Sequence, residues 1–146
     1  MSNEIFLMMS VSTLNAALEA RVQAFEAQVD LSRHDIKVLM HLTEPKRMGA
    51  LAEELQVLRS TLTAVADRLE QGGLLQRHRD RQDRRAWLLE VTEAGRTMQA
   101  QARTMATEGF QELTGLNADD IETFVNLMQK VMKNMTGECC FGEVTP

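Results

Sequence analysis

The sequence predicts a mainly α-helical fold with one small β-hairpin. Three observations predict it. Apolar residues recur every three or four positions near both ends of the chain, and two short central segments repeat that period. Between Leu74 and Val91 the period gives way to two short extended stretches around a polar tip. The 146 residues suit one domain with a modest appendage. A chain of this length buries about two-thirds of its unfolded surface, so it needs no disulfide or metal to fold.

Each element has its own justification. Ile5, Met8, Val11, Leu14, Leu18, Val22, Phe25 and Val29 define one apolar stripe on a long first helix over residues 1–30. Ser32 is placed to cap a short second helix with Ile36, Leu39 and Met40 inward, and Pro45 ends it. Gly49 to Gln56 is a compact helical segment, with Leu51, Ala52 and Leu55 inward. Ser60 to Gln71 is helical again with Leu62, Val65, Ala66 and Leu69 inward, and Gly72-Gly73 stops it. Leu74–Arg79 and Arg85–Val91 read as a hairpin with Trp87 and Leu89 on one face. Its tip, Asp80-Arg81-Gln82-Asp83, has no Asn-Gly pair, so a longer loop is expected. Thr92 caps the next helix, with Glu93 at its positive end, running to about Leu113. A last helix starts near Ala118 and carries Ile121, Phe124, Val125, Met128, Val131, Met132 and Met135. Residues 137–146, poor in apolar side chains, are expected to be a flexible tail.

Composition narrows the functional classes. With 44% hydrophobic and 25% charged residues the chain is neither disordered nor membrane-like. No uninterrupted apolar run approaches the roughly 18 residues of a membrane span. The stretch Ile5–Val11 lacks a basic flank and is interrupted by Ser10, so it makes a poor signal peptide. A cytoplasmic address and no membrane partner are expected. The net charge of -5 hides a segregation. Residues 57–85 carry seven arginines against four carboxylates, a local +3 that leaves -8 for the rest. A local field of this sign decides where a polyanion can touch.

The strongest constellation lies in that stretch: a helix, the turn at Val57-Leu58, a second helix, then a basic hairpin, which are the parts of a winged helix-turn-helix. The second helix has a face that does not pack, made of Ser60, Thr61, Thr63, Ala64, Asp67 and Arg68, with Arg59 at its start. Small polar side chains there let the backbone approach DNA, their hydroxyls can bond to bases or phosphates, and the helix N-terminus favours an anion. The hairpin gathers Arg77, Arg79, Arg81, Arg84 and Arg85 within nine residues, a flexible arginine finger suited to a narrow minor groove. The candidate DNA-binding residues are therefore Arg59, Ser60, Thr61, Thr63, Ala64, Arg68 and these five hairpin arginines.

The stretch Leu31–Gly95 resembles the winged helix-turn-helix of the MarR family of bacterial transcriptional regulators. The resemblance is carried by LAEELQVLRSTLTAVADRLEQGGLLQR over 51–77 and DRQDRRAWLLEVTEAG over 80–95, with Asp83-Arg84-Arg85 and Thr92-Glu93-Ala94-Gly95 the most diagnostic pieces. It implies a homodimer whose first helix (1–30) and last helices (93–136) form the dimerisation layer around a DNA-binding lobe over 31–92. It also implies that Ser60–Gln71 enters the major groove and the wing the adjacent minor groove. Arg85 falls at the position whose arginine penetrates that groove, oriented by Asp83. Many members release DNA on binding small aromatic or amphipathic ligands; others sense oxidants through cysteine. The chain departs from the family pattern at four places. Leu58 stands where a Ser or Asp cap is common, which moves the expected cap to Ser60. Gln56 replaces a turn glycine, Gly49 a Ser/Thr cap, and Ala64 a larger polar or basic residue.

The other candidates carry less. Cys139 and Cys140 are adjacent, about 3.8 Å apart at Cα, where a disulfide needs roughly 4.4 Å or more. A thiol sensor or inter-subunit bridge at the tail is the alternative to inert thiols. His34 and His41 lie two helical turns apart, which suits packing better than metal binding. His78, beside the wing arginines, offers a pH-dependent phosphate contact or is simply solvated. The ten methionines suit a core, a dimer seam or an adaptable ligand pocket. No nucleophile–base pair, metal-ligand spacing or glycine-rich phosphate loop is present, so no catalytic residue, metal or cofactor is expected. The expected function is sequence-specific transcriptional regulation, as a repressor, by a homodimer on double-stranded DNA with a pseudo-palindromic operator. The two alternatives are a winged-helix module that docks a protein instead of DNA, and a thiol-based redox-sensing regulator.

Overall fold

The computed structural model describes residues 1–136. The expected flexible tail (137–146), with Cys139 and Cys140, lies outside the described residues. The elements in chain order are α1 (Asn3–Val29), α2 (Arg33–His41), β1 (Lys46–Arg47), α3 (Met48–Leu55), α4 (Arg59–Gln71), β2 (Leu75–Arg79), β3 (Trp87–Val91), α5 (Glu93–Thr114) and α6 (Ala118–Thr136). They fall into two units, one from Met1 to Gly109 and one from Phe110 onward, divided within α5.

The core of the first unit is made by α2, α3, α4 and the sheet. Leu39, Leu51, Leu62, Leu69, Leu75 and Leu89 are its largest fully buried side chains. Burying one such side chain is worth about 1.5–3 kcal/mol, so these six fix how the helix pair sits on the sheet. The centre of packing is Val38 and Leu39 on α2 and Leu42 at its C-cap, while Ile36 and Met40, expected inward, are half-buried. Ser32 caps α2 as expected. Its hydroxyl accepts from the Asp35 amide, and the Asp35 carboxylate accepts from the Ser32 backbone N–H at 2.9 Å and hydroxyl at 2.7 Å.

The sheet has three strands, in the order β1-β3-β2, all antiparallel. The hairpin was expected; β1 was not. Lys46 and Arg47 pair with Leu89 and Leu88, so the segment just before α3 is stitched to the far strand of the hairpin. Arg79 pairs with Trp87, closing the ladder at the wing's base. At the other end Thr92 clasps the hairpin. Its amide donates to the Leu74 carbonyl at 3.1 Å, its hydroxyl donates to the Gly73 carbonyl at 2.6 Å, and that hydroxyl accepts from the Gly95 amide. Gly95 is required here, because a Cβ would overlap the Leu74 carbonyl oxygen and reach 2.5 Å from Val91 Cγ1. Further along α5, buried Gln99 donates its amide to the Leu39 and Leu42 carbonyls, satisfying the open end of α2.

Two expectations about helices are corrected. The cap of α4 does not move to Ser60. The helix begins at Arg59, Leu58 holds the cap position with an extended backbone, and no side chain caps it. The stripe on α1 holds from Leu14 to Val29, where the apolar residues are half-buried or, at Phe25, buried. Nearer the start it fails: Ile5, Phe6, Leu7, Met8 and Met9 are consecutive, apolar around the whole circumference, and exposed. By length and composition α1 is also apolar enough to cross a membrane, although no uninterrupted apolar run in it is that long.

In the second unit, Gly115 adopts φ 67° and ends α5. Asn117 and Asp120 then cap α6 reciprocally, each side chain accepting from the other's amide. Phe110 and Phe124 stack with ring centroids 6.4 Å apart.

Candidate nucleic-acid interface

Helix α3, the turn and α4 form the helix-turn-helix. Gln56 closes α3 in the left-handed region at φ 54°, taking the conformation that glycine usually supplies. Beyond it, Val57 is half-buried on the core and Leu58 is 75% exposed. With Leu58 unable to cap, the first amides of α4 keep free N–H groups, and the helix dipole makes that end favourable for an anion. Arg59, Ser60, Thr61, Thr63 and Ala64 are all exposed around it, while Leu62, Val65, Ala66 and Leu69 hold the opposite face in the core. The Thr63 hydroxyl donates to the Arg59 carbonyl at 2.8 Å, which leaves its lone pairs for an incoming donor.

The wing tip is tied by short-range bonds. Asp80, buried at the end of β2, accepts from the Gln82 amide at 2.8 Å and from Arg47 Nε and Nη2 at 2.9 and 2.5 Å. The Asp80 amide donates to the Ala86 carbonyl, and the Ala86 amide to the Asp83 carbonyl. The Gln82 amide and the Arg47 guanidinium hold the Asp80 carboxyl below its ordinary range. Asp83 plays a different part from the one expected. Its carboxylate accepts from the backbone N–H of Arg85 at 3.1 Å, so it fixes the turn, and the Arg85 guanidinium has no carboxylate partner among the described residues. Arg79 lies with its guanidinium 4.1 Å from the centroid of the Trp87 ring, and its Nη1 donates to the Arg84 carbonyl at 3.0 Å.

The arginines separate into two sets. Arg77 is committed inside the protein, to Asp67 at 2.6 Å and Glu70 at 2.8 Å, with its amide also donating to Glu70. Its place among the DNA contacts is the expectation that the geometry least favours. Arg68, 53% exposed, reaches not an acid on its own helix but Asp35 of α2, at 2.7 Å. Burial raises the Asp35 carboxyl, but the Ser32 hydroxyl, Arg68 and the Ser32 amide together outweigh it, and the net shift is downward. His78 sits 3.2 Å from Glu90. By contrast, Arg59, Arg81, Arg84 and Arg85 are exposed and have no carboxylate partner among the described residues. A groove of about 560 Å³ joins the two parts, lined by Met48, Thr63 and Asp67 on one side and Arg77 and Trp87 on the other. The exposed face of α4 and the base of the wing therefore border one depression.

Four residues outside the expected set matter to this arrangement. Arg47 and Asp80 join the start of α3 to the root of the wing, Asp35 anchors Arg68, and Trp87 carries Arg79. Trp87 had a signal, being the one tryptophan of the chain and next to the wing arginines. The others had none, because their partners are far away in sequence.

The family model described as MarR family matches residues 31–87, which span α2 to the start of β3. An uncharacterized HTH-type transcriptional regulator of Bacillus subtilis, YpoP, is 32% identical over 107 residues, covering 71% of this chain and 76% of YpoP. The chain belongs to the MarR family. It is a MarR-family transcriptional regulator, and solved members share its fold over most of the chain. The reduced form of MarR from E. coli superposes with a TM-score of 0.71 at 25% identity, covering 86% of this chain and 96% of that one. A mutant E. coli MarR complexed with operator DNA gives 0.64 at 27% identity, covering 89% and 96%. BldR from Sulfolobus solfataricus gives 0.67 at 25% identity, covering 92% and 99%.

Proposed function

We propose that this MarR-family regulator binds double-stranded DNA as a homodimer at a pseudo-palindromic operator and represses transcription there. The observation that carries the reading is the division of the arginines. Arg47, Arg68 and Arg77 are each neutralised by an acid, while Arg59 at the start of α4 and Arg81, Arg84 and Arg85 at the wing tip are exposed and without a carboxylate partner among the described residues. Helix α4 enters the major groove, with Ser60, Thr61, Thr63 and Ala64 against the base edges. The wing enters the adjacent minor groove, led by Arg84 and Arg85, with Arg81 on phosphate. Arg77 and Arg68 serve the fold first, and Arg68 still has a free guanidinium edge for phosphate. The E. coli MarR mutant solved with operator DNA, which shares this fold, supports the assignment.

The second copy is argued from exposed apolar surface. Ile5, Phe6, Leu7, Met8, Met9 and Val11 stand in water on α1, and Leu127, Met128, Val131 and Met135 on α6. A helix apolar on all sides needs cover. Another copy supplies it with two-fold symmetry, which then sets half-sites one DNA turn apart, about 34–36 Å. The division into a dimerisation helix (1–30), a DNA-binding lobe (31–92) and C-terminal helices (93–136) belongs to this reading, as does action in the cytoplasm. Release by a small amphipathic ligand is the part of this reading with the least behind it: a cleft of about 220 Å³ is bordered by Leu42 and Val91, by Glu44 and Glu90, and by Arg96 and Arg103, so it offers charges of both signs beside a small apolar wall.

Binding of genomic fragments by gel shift at several salt concentrations tests the reading. Affinity should fall steeply with salt, because most contacts are to phosphate. Absent or salt-insensitive binding contradicts it. Transcription from the bound promoter should rise when the protein is removed; a fall would make it an activator.

A further inference from the structure

We infer that Arg79 is a positioning residue of the wing, a strut between Trp87 and the Arg84 carbonyl, and not itself a DNA contact. The inference rests on the DNA-binding reading above and assigns a different role to one of its arginines. Three observations place the strut. The guanidinium of Arg79 lies over the Trp87 ring at 4.1 Å, so one face of the cation is occupied by the indole. Its Nη1 donates to the Arg84 carbonyl at 3.0 Å, across the tip of the hairpin. Arg79 and Trp87 are partners in the last rung of the ladder, so the stack is built on paired backbone and not on a free loop end.

The consequence is mechanical. Past the Arg79–Trp87 rung one more backbone bond crosses the hairpin, from the Asp80 amide to the Ala86 carbonyl, and the five residues beyond it carry Arg81, Arg84 and Arg85. On one side the turn is held by Asp80, itself fixed by Arg47. On the other side, Arg84 and Arg85 would swing about the Asp83–Ala86 turn were their backbone not also tied to Arg79. A planar guanidinium meets both demands at once, stacking through its face and donating in its plane. A lysine ammonium is a compact charge without a plane and cannot reproduce both. Ordering the tip before DNA arrives removes part of the entropy cost of binding.

The test uses the full chain with Arg79→Ala, Arg79→Lys and Trp87→Leu, the Arg79→Ala/Trp87→Leu double variant, and a labelled mixed-sequence duplex. Three quantities are read: Trp87 emission in the free protein, amide hydrogen exchange over residues 80–86, and duplex affinity as a function of salt. Arg79→Ala should change Trp87 emission and speed exchange at Ala86 and its neighbours, with overall thermal stability retained. It should weaken duplex binding about three- to ten-fold while leaving the salt slope unchanged. Trp87→Leu should do the same to exchange and affinity, the double variant should add little, and Arg79→Lys should resemble Arg79→Ala despite its charge. A salt slope reduced by about one in Arg79→Ala, with Arg79→Lys and Trp87→Leu behaving like the unaltered protein, would make Arg79 a phosphate contact and overturn the strut. Unchanged exchange and emission in Arg79→Ala would overturn it as well. These free-protein readouts decide the strut even if the unaltered protein fails to bind the duplex, a result that would instead count against the DNA reading.

Discussion

Asp35 is buried in the first turn of α2, where one carboxylate both caps a helix and holds Arg68 of α4. Its folded-state carboxyl is held below the ordinary value of 3.8. Its contribution to stability is therefore fully present above that value and is lost as pH falls through the lower, folded one. Thermal unfolding followed from neutral pH downward should show this loss, and Asp35→Asn should flatten it. Arg68→Ala should cost about 1–2 kcal/mol in urea unfolding, modest for a buried acid because Arg68 is half-exposed and the Ser32 bonds survive. Gly95→Ala should cost more, about 2–3 kcal/mol, since its methyl would meet the Leu74 carbonyl and Val91 with no flexible side chain to yield. At this scale the sequence showed which residues were cationic but not which were spent. Arg77 lies seven and ten residues from its acids, and Arg68 and Arg47 each lie 33 from theirs. Only the fold brings such pairs together.

Elements were more legible than pairings, because the apolar period survives in the helices of the core whatever they pack against, and fails only at the start of α1, where consecutive residues are all apolar. Both central helices, the hairpin and the Ser32 and Thr92 caps follow from local chemistry alone. Strand β1 does not: two charged residues carry no period, and they form a strand only because β3 offers an open edge. The start of α4 is illegible for a related reason, since a helix without a capping side chain leaves no local signal at its first residue. That absence is itself testable. Leu58→Ser should raise stability by about 0.5–1 kcal/mol in urea unfolding by supplying the missing cap. Leu58→Asp should stabilise similarly yet weaken DNA binding, because it sets a negative charge where a phosphate is to lie. Equal DNA affinity for the Ser and Asp variants would separate the start of α4 from the interface.

For the molecule as a whole, burial and charge point to two different surfaces. The ring of apolar residues at the start of α1 was legible as hydrophobic but not as unsatisfied, since exposure is a property of the fold and not of the sequence. Replacing Phe6 and Met9 together with glutamate should convert a dimer to a monomer in sedimentation equilibrium, with the lobe around α2–β3 still folded by circular dichroism. The other surface, the uncompensated arginines, carries the central claim. The most direct measurement of it is duplex affinity against salt concentration for the unaltered protein and for the Arg84→Ala/Arg85→Ala double variant. Steep salt dependence in the first, with the slope of log affinity against log salt reduced by about two for each subunit engaged in the second, is the predicted result. Equal affinity and equal slope in the two proteins would contradict it.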